Sequence, residues 1–312
     1  MRTTHRILHT LLIVLAALGA SLIASGGIAA PAAPQSHDKI VISGASGHLG
    51  ELVVRDLLAR GVPARDLILV SRTPDKLDEF RKLGASTRFG DFSKPESLPA
   101  AYAGGTKLLL ISIGFEAGPR PEAHNRAVDA ALAAGIRHIA YTSFVAISKG
   151  DREGLASDHF QTEEIIRNSG MAWTMLRNSI YSNGLVQQAA KMLADGKATV
   201  SDADVRIGYV TREDCAAAAA AVLSTPGHEN KVYDITGPEL VGPREIAAAA
   251  SAVAGKPVEL VTADPNAPAR RGFGGPSYAV VSDDVAKLTG RPATSVRALF
   301  EAHRDELLGA GK

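Results

Sequence analysis

The sequence predicts an α/β protein built on a Rossmann-like, doubly wound parallel sheet, with a smaller α/β substrate lobe in the C-terminal part. Two observations carry that expectation. Short apolar runs alternate with segments of helical periodicity through five cycles, and no tight hairpin signal falls between them. The first run, Ile40, Val41 and Ile42, stops at Gly44 and gives way to helical spacing through Leu49, Leu52, Val53 and Leu57. Strands joined by crossover helices make a parallel sheet with right-handed connections.

Between that strand and that helix stand Gly44, Gly47 and Gly50, spaced G-x-x-G-x-x-G. Gly44 lets the chain turn sharply, Gly47 lets backbone N–H groups approach a pyrophosphate, and Gly50 lets the helix lie close on the strand. The helix N-terminus then offers free N–H groups and the positive end of its dipole to an anion. A glycine-rich turn without a ligand has the same spacing. The strand before it and the helix after it select a dinucleotide-phosphate site.

The remaining elements follow in order. Asp66 to Ser71 reads as a second strand. Where an NAD site carries an acidic residue for the ribose hydroxyl, this chain has Ser71 and Arg72, followed by Lys76. That arrangement leans to the 2′-phosphate of NADPH, with a solvated surface arginine as the alternative. Asp75 to Leu83 makes a short helix, and STRFGDF a third strand ending at Asp91 and Phe92, which border an adenine or form a simple turn. Thr106 to Ile113 is a fourth strand, with Ser112 and Ile113 at the carboxyl end, where ligands of open α/β sheets gather. A helix over Pro121 to Ala134, a strand over Arg137 to Ser143, a helix over Leu155 to Ser169 and a strand over Ala172 to Arg177 complete a domain over 38–177.

Beyond it the regularity loosens. The expected lobe, 178–312, holds a turn and helix from Asn178 to Leu193 and extended segments near Ala198 to Val200, Arg206 to Val210 and Val232 to Ile235. It also holds helices at Glu213 to Leu223, Pro243 to Ala254 and Val296 to Leu308, with some segments returning to the sheet. Its alanine runs suit closely packed helices. Asp264 to Pro276, rich in glycine, proline and arginine, reads as a loop.

Composition is that of an ordinary globular protein, with 46% hydrophobic and 21% charged residues. A net charge of +1 over 312 residues gives no field favouring nucleic acid. The single cysteine, Cys215, excludes an intramolecular disulfide and reads as a small buried hydrophobe. Residues 1–34 differ from the rest. Arg2 and Arg6 precede an apolar run from Ile7 to Ile23 and a stretch of small residues with proline, the pattern of a signal peptide or an uncleaved membrane anchor with linker. The expectation is an exported or membrane-anchored protein whose body faces the periplasm. A cytoplasmic protein is the alternative, since nicotinamide cofactors are made there.

Several stretches together resemble the NmrA-like, atypical short-chain dehydrogenases, and within them the bacterial NAD(P)H:quinone oxidoreductases. They are GASGHLG at Gly44, VSRTPDK at Val70, GDF at Gly90, LLLIS at Leu108, AAGIRHIAYTS at Ala133, EEIIRNSGMAWTMLRNSIYSN at Glu163 and GHENKVYDITG at Gly227. The resemblance implies NADPH, with NADH as a second option, held by Gly44, Ser46, Gly47, His48, Leu49 and Arg72, with Ser112, Thr142 and Ser143 along the cofactor. It implies no flavin, direct hydride transfer to a quinone-like acceptor, and an acceptor pocket at Asn178 to Tyr181.

Typical short-chain dehydrogenases carry a tyrosine and, four residues later, a lysine that lowers its pKa. Alignment on EEIIRNSG puts Leu155 and His159 at those places, so the pair is missing. Quinone reduction tolerates the loss, because the product oxyanion is stabilised by aromaticity and a preorganised hydrogen bond can replace a strong acid. Candidates to orient the acceptor oxygen are Asn178, Tyr181 and His159, each also readable as a structural hydrogen bonder. His159 and Glu163, at i and i+4, share a helix face but lack a third ligand, so no metal is expected. The expected activity is an NAD(P)H-dependent quinone reductase. The alternative is an NADP(H)-binding redox sensor without turnover.

Overall fold

A computed structural model describes residues 38–114, 119–148, 150, 154–200, 206–263 and 278–309. The leader over 1–34 and the loop over 264–276 lie outside the described residues. Seven strands form one sheet: β1 (Ile40–Ser43), β2 (Leu67–Ser71), β3 (Ser86–Phe89), β4 (Lys107–Leu110), β5 (His138–Phe144), β6 (Ala172–Asn178) and β8 (Lys231–Ile235). Their order is β3-β2-β1-β4-β5-β6-β8, and every neighbouring pair is parallel. The order reverses between β1 and β4, so the loops leaving those strands diverge and open a crevice at the carboxyl edge.

Side chains alternate across the sheet, and both faces are covered. Ile40, Ile42, Leu67, Leu69 and Leu109 pack under α1 (His48–Ala59), α7 (Arg212–Ser224) and α9 (Asp284–Thr289). Val41, Ile68, Val70, Leu108, Leu110 and Tyr141 pack under α3 (Leu98–Tyr102), α4 (Arg120–Ala133) and α5 (Gly154–Arg167). The alanines of α7 are buried, and Cys215 among them is 2% exposed. Small side chains let this helix lie close against α1.

A third hydrophobic cluster forms from the C-terminal half of the chain. Leu185, Val186, Ile246, Val253, Leu299 and Phe300 join α6 (Leu185–Asp195), α8 (Pro243–Ala254), α10 (Val296–Ala302) and α11 (Arg304–Leu307). Beside it β7 (Lys197–Val200) and β9 (Glu259–Thr262) pair in parallel. The segments α7, β8 and α9 return from the same part of the chain to the main sheet.

Some boundaries differ from those expected: the short helix expected over Asp75 to Leu83 is a 3-10 turn (Pro74–Leu77) that runs into α2 (Asp78–Lys82). The third strand ends at Phe89, because Asp91 accepts hydrogen bonds from Ser93 N and Oγ and closes a turn. The fourth ends at Leu110, leaving Ser112 and Ile113 in the loop beyond it. Arg206 to Val210 forms only isolated bridges, from Ile207 to Val241 and from Val210 to Tyr181. The last expected helix is two, broken at His303. The helices α3 and α9 and the strand β9 were not foreseen. At four to six residues they are too short to show a period.

Candidate functional site

The site begins where β1 ends. Gly44 sits at φ +93, a left-handed conformation that any side chain would strain. The N–H groups of Gly44 and Ala45 both donate to Val70 O at 3.0 Å, tying the loop to β2. A Cβ on Gly50 would lie 2.3 Å from Gly44 O, so only glycine lets α1 approach this closely. Gly47 is different: an added Cβ would meet only Gly44 O at 3.4 Å, so its exposed face is open to a ligand. Gly47 is also the N-cap of α1 and supplies no capping side chain. The first-turn N–H groups of His48, Leu49 and Gly50 therefore remain for an anion. The Leu49 side chain itself faces the core and the His48 side chain faces solvent, so their fit to a phosphate rests on the backbone.

A cleft of about 630 Å³ runs from this loop along the carboxyl edge. It brings together Gly44, Ser46, Gly47, Arg72, Lys76, Asp91, Phe92, Ser112 and Ile113, all marked by the sequence. Ser46 Oγ and Ser71 Oγ lie 2.5 Å apart and join the glycine loop to the end of β2. Arg72 and Lys76 are exposed on the cleft wall. The glycine cradle, the uncapped helix and the two cations together fit a dinucleotide carrying an extra phosphate.

A second pocket of about 240 Å³ shares Ser112 with this cleft. Thr142, Ser143, His159, Asn178 and Tyr181 line it, with Arg120, Phe144, Leu155 and Ile180. Thr142 Oγ1 accepts from Ser112 N at 2.8 Å and anchors the loop between the two cavities. Ser143 Oγ donates to Glu163 at 2.6 Å, and Arg177 and Arg167 bridge the same carboxylate. Burial pushes the Glu163 pKa up, but the hydrogen bonds from Arg177 and Ser143 and the two guanidinium charges outweigh it, and the net direction is down. Glu163 is thus an anion held by two guanidinium groups and a hydroxyl. Among the described residues no group of three metal-ligating side chains occurs.

The pocket floor is polar and buried. Asn178 Oδ1 and Ser179 Oγ have no hydrogen-bond partner among the described residues. Tyr181 packs its ring under Arg212, at 5.1 Å, and burial pushes its pKa upward. His159 is 4% exposed and meets the Tyr141 hydroxyl through Nδ1 at 2.7 Å. Burial, then the charges of Arg120 and His124, lower its pKa to about 3, so the ring is neutral. Sequence reasoning missed Tyr141, Arg120 and Phe144. The first reads as one more apolar residue of a buried strand, and no motif marks the others.

A family model described as NAD(P)H-binding matches residues 44–226. The chain is 37% identical over 219 residues to quinone oxidoreductase 2 of Escherichia coli, covering 70% of this chain and 76% of that one. A crystal structure of an E. coli NADPH-dependent quinone oxidoreductase complexed with NADPH superposes with a TM-score of 0.74 at 33% identity, over 85% of this chain and 99% of that one. An NAD(P)H azoreductase of Xenophilus azovorans is 29% identical over 283 residues, 85% of this chain and 97% of that one. The structure of Citrobacter triphenylmethane reductase complexed with NADP(H) superposes with a TM-score of 0.73 at 30% identity, over 88% of this chain and 100% of that one.

Proposed function

The chain belongs to the NAD(P)H-binding, NmrA-like family and is an NAD(P)H-dependent oxidoreductase; on that premise we propose that it holds NADPH in the larger cleft and reduces a quinone-like acceptor in the smaller pocket, without flavin. One observation carries the reading: Ser112 lines both cavities. A ligand extended from the glycine loop past Ser112 brings its far end to the mouth of the acceptor pocket. The names of the relatives support the acceptor class, since quinones, azo compounds and triphenylmethane dyes are all conjugated electron acceptors.

The residues divide the work. The α1 N–H groups and Gly47 take the pyrophosphate, Arg72 and Lys76 the 2′-phosphate, and Asp91 and Phe92 border the adenine end. Ser112, Ile113, Thr142 and Ser143 flank the path toward the nicotinamide. Bound there, the cofactor supplies a hydride, and a quinone that accepts it becomes a hydroquinone after taking one proton from water. Asn178, Tyr181 and His159 orient the acceptor oxygen, and Phe144, Leu155 and Ile180 give the pocket walls that exclude water and suit an apolar ring. With Leu155 and His159 in place of the tyrosine and lysine, stabilisation of negative charge on the acceptor oxygen replaces strong acid catalysis.

The test is NADPH absorbance in the presence of the full chain, with and without a simple benzoquinone. Consumption that depends on both protein and quinone supports the proposal. Tight NADPH binding with no consumption above the non-enzymatic background rejects it in favour of a non-turning-over sensor.

A further inference from the structure

Tyr141 and His159 lie on different elements, β5 and α5, and meet inside the protein. Their exposures are 0% and 4%, and Tyr141 Oη lies 2.7 Å from His159 Nδ1. Phe144 stacks on the imidazole, with ring centres 5.9 Å apart and planes at 24°. The ring is held at one nitrogen and on one face. Its remaining polar atom, Nε2, has no hydrogen-bond partner among the described residues, and His159 lines the acceptor pocket.

We propose that Tyr141 is a positioning residue that locks the neutral His159 ring as the Nε2–H tautomer, so that His159 donates a hydrogen bond, and no proton, to the acceptor oxygen. The proposal rests on the reading of the smaller pocket as the acceptor site. The direction of the Tyr141–His159 bond decides the tautomer. A phenol O–H is a much better donor than a neutral imidazole N–H, and an imidazole nitrogen a better acceptor than a phenol oxygen, so the hydroxyl donates to Nδ1. Thr162 also neighbours the phenol, but its own proton goes to Asp158 O at 2.9 Å. Thr162 further accepts from His124 Nδ1 at 3.1 Å, because His124 Nε2 already accepts from Ile113 N. Thr162 therefore has no proton to offer Tyr141. With Nδ1 filled by the phenol proton, the single N–H of the neutral ring is on Nε2.

The surroundings keep that ring neutral. Arg120, ion-paired with Asp158 at 3.0 Å, and His124 face it from α4, while Glu163 on its own helix is bound by Arg167, Arg177 and Ser143. A neutral N–H aimed at a developing oxyanion stabilises charge without requiring a proton on the imidazole, and it works over a wide pH range.

The experiment combines nitrogen NMR of histidine-labelled full-length protein with kinetics, using wild type, Tyr141→Phe, His159→Gln and His159→Leu. Tyr141→Phe keeps the ring volume, and His159→Gln assigns the resonances. The expected wild-type spectrum shows Nε2 protonated and Nδ1 bare, constant from about pH 5 to 9. Tyr141→Phe is expected to show both tautomers and to lose about fivefold in kcat with benzoquinone. His159→Leu should lose about 100-fold, with partial recovery in His159→Gln, whose amide still donates. NADPH affinity should be unchanged throughout. A proton on wild-type Nδ1, or an unaltered spectrum in Tyr141→Phe, overturns the lock. A fall of kcat with a histidine-like pKa that His159→Gln abolishes shows proton donation and overturns the neutral-donor role. A locked tautomer in a protein that consumes no NADPH rejects the acceptor reading, and the hydrogen bond to the acceptor with it.

Discussion

Arg72 stands at the end of β2, where a carboxylate would select the ribose hydroxyls of NAD. Replacing it by Glu puts a like charge beside the 2′-phosphate and supplies a partner for a free hydroxyl. The expected result is a KM for NADPH raised by about tenfold or more with NADH use improved, read by titrating both cofactors against the same acceptor. Unchanged preference would move the phosphate contact to Lys76. The two buried histidines make a second prediction at this scale. His124 and His159 both have pKa values lowered to about 3 by burial, reinforced by the charge of Arg120. Their folded values lie below the unfolded value of about 6.5, so between these limits the unfolded chain binds protons that the folded chain refuses. Stability is full above about pH 6.5 and falls as the pH drops, by about 2 kcal/mol per histidine at pH 5. Urea midpoints from pH 5 to 8 should show this limb, made shallower in His159→Gln. A limb that His159→Gln leaves untouched would mean the folded ring already carries a proton.

At the scale of elements, α1 is held to β1 by the absence of a side chain at Gly50. Gly50→Ala forces the helix away from Gly44 O, and overpacking of this kind costs about 1–3 kcal/mol. The first-turn N–H groups move with the helix, so NADPH affinity should fall together with the melting temperature. A variant that binds NADPH normally would show that the phosphate does not sit on α1. Glu163 joins α5 to β6, and Glu163→Gln leaves two guanidinium groups facing a neutral amide, at a cost of about 3 kcal/mol. The measure is the thermal midpoint together with kcat, since Ser143 in the smaller pocket loses its charged partner. The strands β1, β2, β4, β5 and β6 and the helices α1, α4, α5, α7 and α8 were legible because each shows a run or period of its own. Asp91 ended β3 early through a local side-chain turn, and α3, α9 and β9 are pinned by tertiary packing on segments too short to declare themselves.

For the whole molecule, His37–Lys312 forms one compact unit that contains both cavities. A chain beginning at His37 is therefore expected to bind NADPH as the full chain does, measured by calorimetry. Loss of binding would assign residues 1–36 a part in the site. The chain by itself determined the order of strands and helices, the glycine turn, the cationic residues after β2 and the missing tyrosine–lysine pair, because each is written in neighbouring residues. It also marked Gly44, Ser46, Gly47, Arg72, Lys76, Asp91, Phe92, Ser112 and Ile113, which the structure brings to the larger cleft, since a Rossmann sheet places strand ends at predictable points. Only the tertiary structure decided that Ser112 lines both cavities and that Tyr141, 18 residues from His159, holds its imidazole. Those relations depend on which strand lies beside which and on how a helix settles over them. No local periodicity encodes such a contact; the packed core sets it.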